Sequence, residues 1–461
     1  MTRIYNPLIE TMSRKDLVDL QWRRVRKLVE RAHAQSPLWR GVFERAGVRP
    51  EQIRSLDDFR QRLPTIGKDE FLADQLDAPP WGHRLMTDPR SLAFSFLTSG
   101  TSGKGPEVHG RTVGDLFETG SSWATSLYWS GVMPGDTAYH MLPLGLTGGP
   151  VSMFFGMQAY GLQVFLAAAL DGEARLAMMR RFKPNFFAAS ALYLRRLTAL
   201  CQEHGVDPRR EFPQLRSIKI AMIGYEIDWA REMEDFWGCK LTETYASTQS
   251  GAGIASTCEH GVVLPDGRRS MMHFLEHKLF FEVVNPQSGK PAEDGEEGEL
   301  IVTSLDREAS PVLRFATGDK VVFRSHCSCP CGRPFDGIEA GTVARYDSMM
   351  KVRGMNFWPE AADAVVFKHA EVDDYNGIVR VADNGREVVE LRIRFKDGVP
   401  TDDAETRARF LKALEAELKE NTNVSMRVLD AGSDGVQSIT YKEKRWKDLR
   451  RQSSPTPPTG G

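Results

Sequence analysis

The sequence predicts an α/β protein in two parts, a large N-terminal domain over residues 1–346 and a small α+β domain over 347–452. Three observations lead there. From Ser91 to about Tyr245, strand-like and helix-like runs alternate, the pattern of a mostly parallel sheet with helices on its faces. Around residue 255 the texture changes to short strand candidates separated by turn-rich segments such as Asn285–Gly298, which reads as a more antiparallel, barrel-like part. Beyond Arg345–Gly354 the remaining strands and one helix form a unit of about a hundred residues, a size that folds alone.

In chain order, Ser13 to about Glu44 reads as helical. Leu17, Leu20, Val25, Leu28, Val29 and Ala32 keep one face apolar, and Arg23, Arg24, Arg26 and Lys27 fill a solvated face. Ser13 with Asp16 forms a capping-box pattern. Ser91–Leu97 reads as a buried strand. Strands are expected at Thr137–Leu142, Gln163–Leu166, Asn185–Ala188 and Ser217–Ile223, with helices at Gly172–Arg181, Leu192–His204 and Asp228–Trp237. Phe274–Val284, Glu299–Ser304 and Lys320–Phe323 are the strands of the antiparallel part. In the small domain, strands are expected at Gly377–Val381, Val388–Phe395 and Ser425–Leu429. Asp402–Asn421 is helical, with Ala408, Leu411, Leu414 and Leu418 on one side. Residues 453–461 are Ser, Pro, Thr and Gly and read as a disordered tail.

Composition narrows the function. The 461 residues are 41% apolar and 26% charged, with a net charge of −2. That is ordinary for a soluble globular chain and gives no general pull toward nucleic acid or an anionic membrane. The N-terminus lacks an apolar targeting core and no run is long enough to span a bilayer, so a cytoplasmic protein is expected. Of the six cysteines, Cys258, Cys327, Cys329 and Cys331 fall close together, a metal-site pattern rather than a disulfide framework.

Chemistry concentrates first at Ser99-Gly100-Thr101-Ser102-Gly103-Lys104. Glycines allow close backbone approach, and the hydroxyls, N–H groups and one lysine suit a polyphosphate. The spacing is not that of the P-loop, because only Thr101 and Ser102 separate Gly100 from Gly103 and Gly105 follows Lys104. Gly224-Tyr225-Glu226 follows a predicted parallel strand, at the edge where α/β sheets bind ligands. In Thr244-Tyr245-Ala246-Ser247-Thr248-Gln249 the Tyr245 ring can stack on a base. Asp319, in Arg314-Phe315-Ala316-Thr317-Gly318-Asp319, can accept from two hydroxyls at once. Cys329 and Cys331, one residue apart, can share a tetrahedral Zn²⁺ with a distant Cys/His pair, Cys258 and His260; His273 competes for the histidine place and Cys327 is a spare thiol.

Together, in this order, these segments resemble the acyl-adenylate-forming superfamily, and its phenylacetate–CoA ligase-like subgroup in particular. Arg345-Tyr346-Asp347 through Trp358-Pro359 and the closing Thr440-Tyr441-Lys442-Glu443-Lys444-Arg445 extend the resemblance to about residue 450. It implies that Ser99–Lys104 hold the phosphates of ATP, that Gly224, Tyr225, Glu226 and Tyr245 meet adenine, that Asp319 takes the ribose and that Arg345 contacts the nucleotide. Thr248 would donate to the α-phosphate. Lys442 would be the catalytic lysine, with Lys444 as the alternative, and Asp347 the hinge of a mobile C-terminal domain.

By the same resemblance, Leu142–Gly149, with Leu144 and Gly148, lines the acid pocket. Ala189 and Ser190, in an apolar, small-residue stretch, are read as its other wall. The Cys/His set would be a structural zinc knuckle within about 255–335. Two departures stand out. Ala246 replaces a glycine, and Gln249 replaces the glutamate that normally holds Mg²⁺, an amide being a weaker ligand for a hard cation. The implied reaction is ATP-dependent adenylation of an aryl carboxylic acid with release of pyrophosphate, followed by transfer to coenzyme A. Related ligases are often dimers, so a homodimer is expected. Two other readings stay open: transfer to an amine or another small nucleophile, including activation of nitrite instead of a carboxylate, and a nucleotide or acyl binder without turnover.

Overall fold

The computed structural model describes residues 2–98, 106–145, 148–221, 224–346, 350–353, 355–357, 359–369, 371–382, 386–396, 404–432, 435–436 and 445–450. It divides into two compact units, Met1–Ala344 and Arg345–Gly461.

The first unit opens with helices. Arg14–Gln35 is capped by Ser13, whose side chain accepts from the Asp16 N–H. The single helical stretch expected over Ser13–Glu44 is broken at Ser36, and a second helix runs Pro37–Arg45. A proline disfavours helical backbone in the residue before it. Ser36 is accordingly extended, at φ −111° and ψ 116°, and its hydroxyl caps the second helix. Val25, Leu28, Val29 and Ala32 bury with Trp39, Phe43, Phe59, Phe71 and Phe315, which ties these helices to the sheet domain.

Strands β1 (Leu92–Leu97) and β2 (Val108–Thr112) pair antiparallel as a ribbon of their own. In β1 only Phe96 is fully buried, so the apolar run marks one half of a ribbon rather than a central strand. The main sheet contains β3 (Thr137–His140), β4 (Gln163–Leu166), β5 (Phe186–Ser190), β6 (Ser217–Ala221) and β7 (Lys240–Ser247). It continues with β8 (Gly251–Thr257), β9 (Met271–Phe274), β10 (Leu279–Val284), β11 (Glu297–Ser304), β12 (Phe315–Arg324) and β13 (Gly337–Glu339).

Their order is β10-β11-β12-β13-β9-β8-β7-β6-β5-β3-β4. From β4 to β7 the neighbours are parallel. From β7 onward they are antiparallel. Strand β7 is therefore the joint between the two halves, and the antiparallel part runs on from the parallel one. The apolar stretch Phe274–Val284 divides into β9 and β10 around the turn at Leu275–Lys278.

A long helix at Val113–Trp129 is buried on most of its sides, with Thr119, Gly120, Ser122, Trp123, Ala124, Thr125, Ser126 and Leu127 all enclosed. Helix Gly148–Tyr160 lies against it so closely that a Cβ on Gly156 would come within 2.2 Å of the Trp123 side chain.

In the second unit Val372–Val381 and Glu387–Phe395 pair antiparallel, with Arg427–Asp430 and Trp446–Asp448 added in parallel at the two sides. Helix Ala404–Thr422 buries Leu414 and Leu418. Their core includes Tyr375, Leu391 and Trp446. Among the described residues no helix is long and apolar enough to cross a membrane.

Candidate active site and metal centre

In an open parallel sheet, ligands bind at the carboxyl ends of the strands, where the strand order reverses. Here the chain steps from β3 outward to β4, then returns across β3 to β5. The residues that follow β3, β5, β6 and β7 thus share one edge. Leu144 and Gly148 follow β3, Ala189 and Ser190 close β5, Gly224-Tyr225-Glu226 follows β6, and Tyr245 to Gln249 close β7. Local capping explains two of these positions. The Ser190 hydroxyl accepts from the Tyr193 N–H (3.1 Å) and starts helix Ala191–Glu203, so its side chain works as a cap. Glu226 stands at the N-cap of helix Ile227–Trp237. Ala189 is buried in the sheet core, and Leu144 is exposed.

Two residues far apart in sequence meet at the β7 joint: the Tyr245 hydroxyl donates to Asp319 Oδ2. The aspartate lies within β12 at a bulge where Gly318 has φ 73°, and Thr317 Oγ1 accepts from the Asp319 N–H (3.1 Å). Tyr225 is fixed from below. Its hydroxyl donates to Glu243 Oε2 (2.6 Å), which also accepts from the Gly341 N–H (2.8 Å). Burial, opposed by these donors, pushes the Glu243 carboxyl up to about 7.

The turn after β7 is held by two arginines. Arg111 Nη2 donates to the Thr248 carbonyl (2.7 Å), and Arg307 donates to the carbonyls of Gln249 (3.3 Å) and Ser250 (2.9 Å). Burial lowers the proton affinity of both guanidiniums, and the charge of Asp115 opposes that. Gly148 lies against the same turn: a Cβ there would stand 3.1 Å from Thr248 Oγ1 and 3.3 Å from its methyl.

Gln249 itself faces a carboxylate. Its Nε2 donates to Glu107 Oε1 (3.1 Å) and Oε2 (3.2 Å), and its Oε1 accepts from the Ser247 hydroxyl (3.1 Å). Glu107 is fully buried.

The metal candidates converge at the other end of β8. Cys258, His273, Cys329 and Cys331 are buried, with ligand atoms all within 4.8 Å of one another. Cys258 Sγ is 3.7 Å from Cys329 Sγ, and Cys331 Sγ is 3.4 Å from His273 Nε2. Ligand distances of about 2.3 Å for sulfur and about 2.05 Å for nitrogen around a tetrahedral zinc require edges of about 3.8 and 3.5 Å, which these two separations match. His273 Nδ1 lies 3.3 Å from the Phe335 carbonyl, which turns Nε2 toward the thiols. Hydrogen bonds from the Cys258 and Cys329 thiols hold the Cys331 thiol well below its ordinary value, the thiolate a metal needs.

His260, expected in this set, lies outside the buried quartet and groups only with Cys258 and Glu259. The reason is register. Antiparallel pairing sets His273 opposite Ser256, two residues before Cys258. Cys327 is exposed.

Residues 33–305 match the AMP-binding enzyme family. This chain belongs to that family. It is a phenylacetate–CoA ligase-like member of the acyl-adenylate-forming superfamily. The enzyme is 29% identical to the phenylacetate–coenzyme A ligase of Thermus thermophilus, over 97% of this chain and 100% of that protein. It is 26% identical to the phenylacetate–coenzyme A ligase of Escherichia coli, over 96% and 97%. Its fold is that of 2-hydroxyisobutyryl-CoA ligase in complex with 2-HIB-AMP, with a TM-score of 0.85 at 20% identity, covering 98% of this chain and 93% of that one. The amide bond synthetase McbA of Marinactinospora thermotolerans is more distant, with a TM-score of 0.53 at 17% identity over 78% and 69%.

Of the enzyme's expected site residues, Ser99–Lys104, Asp347 and Lys442 lie outside the described residues, and Arg345 opens the second unit. Three functional-edge residues escape a reading by motif: Glu107, Arg111 and Arg307. Each stands in a mixed, largely polar stretch with no motif, so its place at this edge has no local signal in the sequence.

Proposed function

We propose that this enzyme activates an aryl carboxylic acid as its acyl-adenylate, releasing pyrophosphate, and then passes the acyl group to coenzyme A. The observation that carries the reading is the hydrogen bond between Tyr245 and Asp319. It brings a ring suited to stack on adenine and a carboxylate suited to accept from ribose hydroxyls to one point, at the carboxyl end of β7.

The acid sits beside the contact between Gly148 and the Thr248 turn, at the edge that follows β3 and β7. Its carboxylate attacks the α-phosphate and forms the acyl–phosphate bond as the bond to pyrophosphate breaks. Thr248 donates to the α-phosphate, held in place because its carbonyl is engaged by Arg111. The hydroxyls and lysine of Ser99–Lys104 bind the β- and γ-phosphates, with Gly224 and Glu226 beside the base and Arg345 at the nucleotide. Lys442 supplies positive charge where it develops between carboxylate, ribose and α-phosphate, a transition-state role. Rotation of the second unit about Asp347 then removes Lys442 and admits the coenzyme A thiol, which attacks the acyl carbon and expels AMP.

Magnesium, when bound with ATP, would neutralise phosphate charge. At this edge the side chain in the ligand's expected place is the neutral Gln249, and the carboxylate beside it is Glu107. Cys258, His273, Cys329 and Cys331 would hold a structural zinc that pins β8, β9 and the Cys329–Arg333 loop together. The setting we propose is the cytoplasm, with a homodimer as the acting unit on the precedent of related ligases.

The test is AMP release with ATP and Mg²⁺ across a panel of aryl acids, with and without coenzyme A. Acid-dependent AMP that rises with coenzyme A, together with a thioester product, supports the reading. Acid-dependent AMP indifferent to coenzyme A but raised by an amine moves the second step to amide formation.

A further inference from the structure

We propose that Asp115 is a positioning residue for the adenylation step, and that it acts through Arg307 on the turn Thr248–Ser250. The proposal rests on the adenylation reading of the same edge.

Each carbonyl of that turn takes a guanidinium N–H, Thr248 from Arg111 and Gln249 and Ser250 from Arg307. Ser304 Oγ also donates to the Ser250 carbonyl (3.4 Å). An arginine side chain is long and has many rotamers. It holds a carbonyl in one place only when its own backbone and charge are held too.

Arg307 lies in the loop between β11 and β12, and two helices grip that loop. Asp115 Oδ1 accepts from the Glu308 N–H (2.8 Å) and its Oδ2 from the Ala309 N–H (3.2 Å), the two amides that follow Arg307. Arg31, on helix Arg14–Gln35, donates to the Arg307 carbonyl. Thr112 Oγ1 donates to Glu308 Oε2 (2.6 Å). A Cβ on Gly114 would stand 2.8 Å from both Glu308 carboxylate oxygens, so the start of helix Val113–Trp129 meets the loop without slack. At the far end of the side chain, a Cβ on Gly251 would come within 2.5 Å of Arg307 Nη2, so the guanidinium lies directly against the turn.

A helix cap alone does not explain Asp115. Its bond from the Thr112 N–H (3.2 Å) is the ordinary capping-box contact. The bonds from Glu308 and Ala309 span 193 and 194 residues. The carboxylate is also buried among guanidiniums. Burial lowers the proton affinity of Arg307, and the Asp115 charge opposes that. Burial and the charge of Arg307 lower that of Arg111, and Asp115 opposes this as well. One carboxylate thus offsets two like charges that face the same turn. Without its charge the two guanidiniums repel, and the turn loses donors fixed in direction.

The experiment is a double-mutant cycle of Asp115→Asn and Arg307→Met. It is read as kcat and KM for ATP in acid-dependent exchange of labelled pyrophosphate into ATP, with thermal melting of each protein. Asparagine keeps the size of the side chain and one acceptor oxygen and removes the charge. We expect Asp115→Asn alone to lower kcat about tenfold and to change KM for ATP less than about twofold. With Arg307 already Met, the same change should cost less than about twofold in kcat. A lower melting temperature with unchanged kcat would leave Asp115 a cap only and overturns the proposal. So does a cycle in which the two effects simply multiply. Should Asp115→Asn not fold, Arg307→Met against the double variant decides alone. Equal kcat supports the proposal, whereas a further fall, or a double variant that does not fold, overturns it. A wild type that exchanges no pyrophosphate with any acid brings down the adenylation reading, and this proposal with it.

Discussion

At the turn after β7, three successive backbone carbonyls accept from Arg111 and Arg307; at the cysteine knuckle, four ligand atoms crowd toward one another. Both places bury charge in the first unit. The turn is complete with donors the chain supplies itself, so its shape needs nothing further. The knuckle is built of like groups, three thiols and an imidazole, whose convergence is favourable only around a cation. The difference predicts a division of labour: changes at the edge should appear in rate, and changes at the knuckle in stability.

The largest expected effect lies on the rate side. Lys442→Ala should lower acid-dependent AMP formation by about 10³-fold, roughly 4 kcal/mol of transition-state stabilisation, with the melting temperature unchanged. Lys444→Ala, assayed beside it, should lose far less; the reverse order would reassign the catalytic lysine.

Next comes the knuckle. Cys331→Ser should abolish zinc retention through gel filtration, read by elemental analysis, and cost roughly 3 kcal/mol of stability. The fraction that remains folded should keep its turnover. Lost turnover with intact melting would break the comparison.

Arg307→Met probes the turn. Leaving two carbonyls without their donor costs about 1–3 kcal/mol. We expect this mainly as a 10- to 100-fold fall in kcat/KM, about what such a loss converts to, with a smaller loss in melting temperature.

Gly148→Ala is subtler. The new methyl would press on Thr248 at 3.1–3.3 Å and should lower kcat/KM a few-fold, most for the bulkiest acids.

A pH experiment probes the support beneath the edge. Lys219 lies buried under the same edge, donating to the hydroxyls of Ser126, Ser130 and Thr244. Burial lowers it from 10.5 to about 7. Between those values the unfolded chain holds a proton that the folded chain has released, so stability rises with pH across that window. The raised Glu243 acts in the opposite sense between 4.5 and about 7, where stability falls as pH rises. Lys219→Met should flatten the alkaline rise in thermal melts and leave the acid side in place.

Much of this architecture is legible in the sequence, and the gaps have physical causes. Helix Gly172–Phe182 follows from local pattern, because it buries one face with Leu176 and Met179. Val113–Trp129 does not, because its Gly, Ser and Thr residues, Gly114, Thr119, Gly120, Ser121, Ser122, Thr125 and Ser126, are poor helix formers that tertiary burial overrides. Pro37 is a visible break, yet apolar spacing continues through it and masks the boundary. At the knuckle, Cys258-Glu259-His260 is the compact local pattern, whereas His273 reaches the thiols only through the β8–β9 register. Glu107 is the extreme case. Its carboxylate meets Gln249, 142 residues away, and nothing in its sequence neighbourhood announces that partner.

The most direct measurement is acid-dependent exchange of labelled pyrophosphate into ATP, without coenzyme A. It isolates the first half-reaction from the choice of acceptor. An aryl acid should drive exchange, and Lys442→Ala should abolish it. No exchange with any acid, in protein that binds ATP and melts cooperatively, would contradict the adenylation reading.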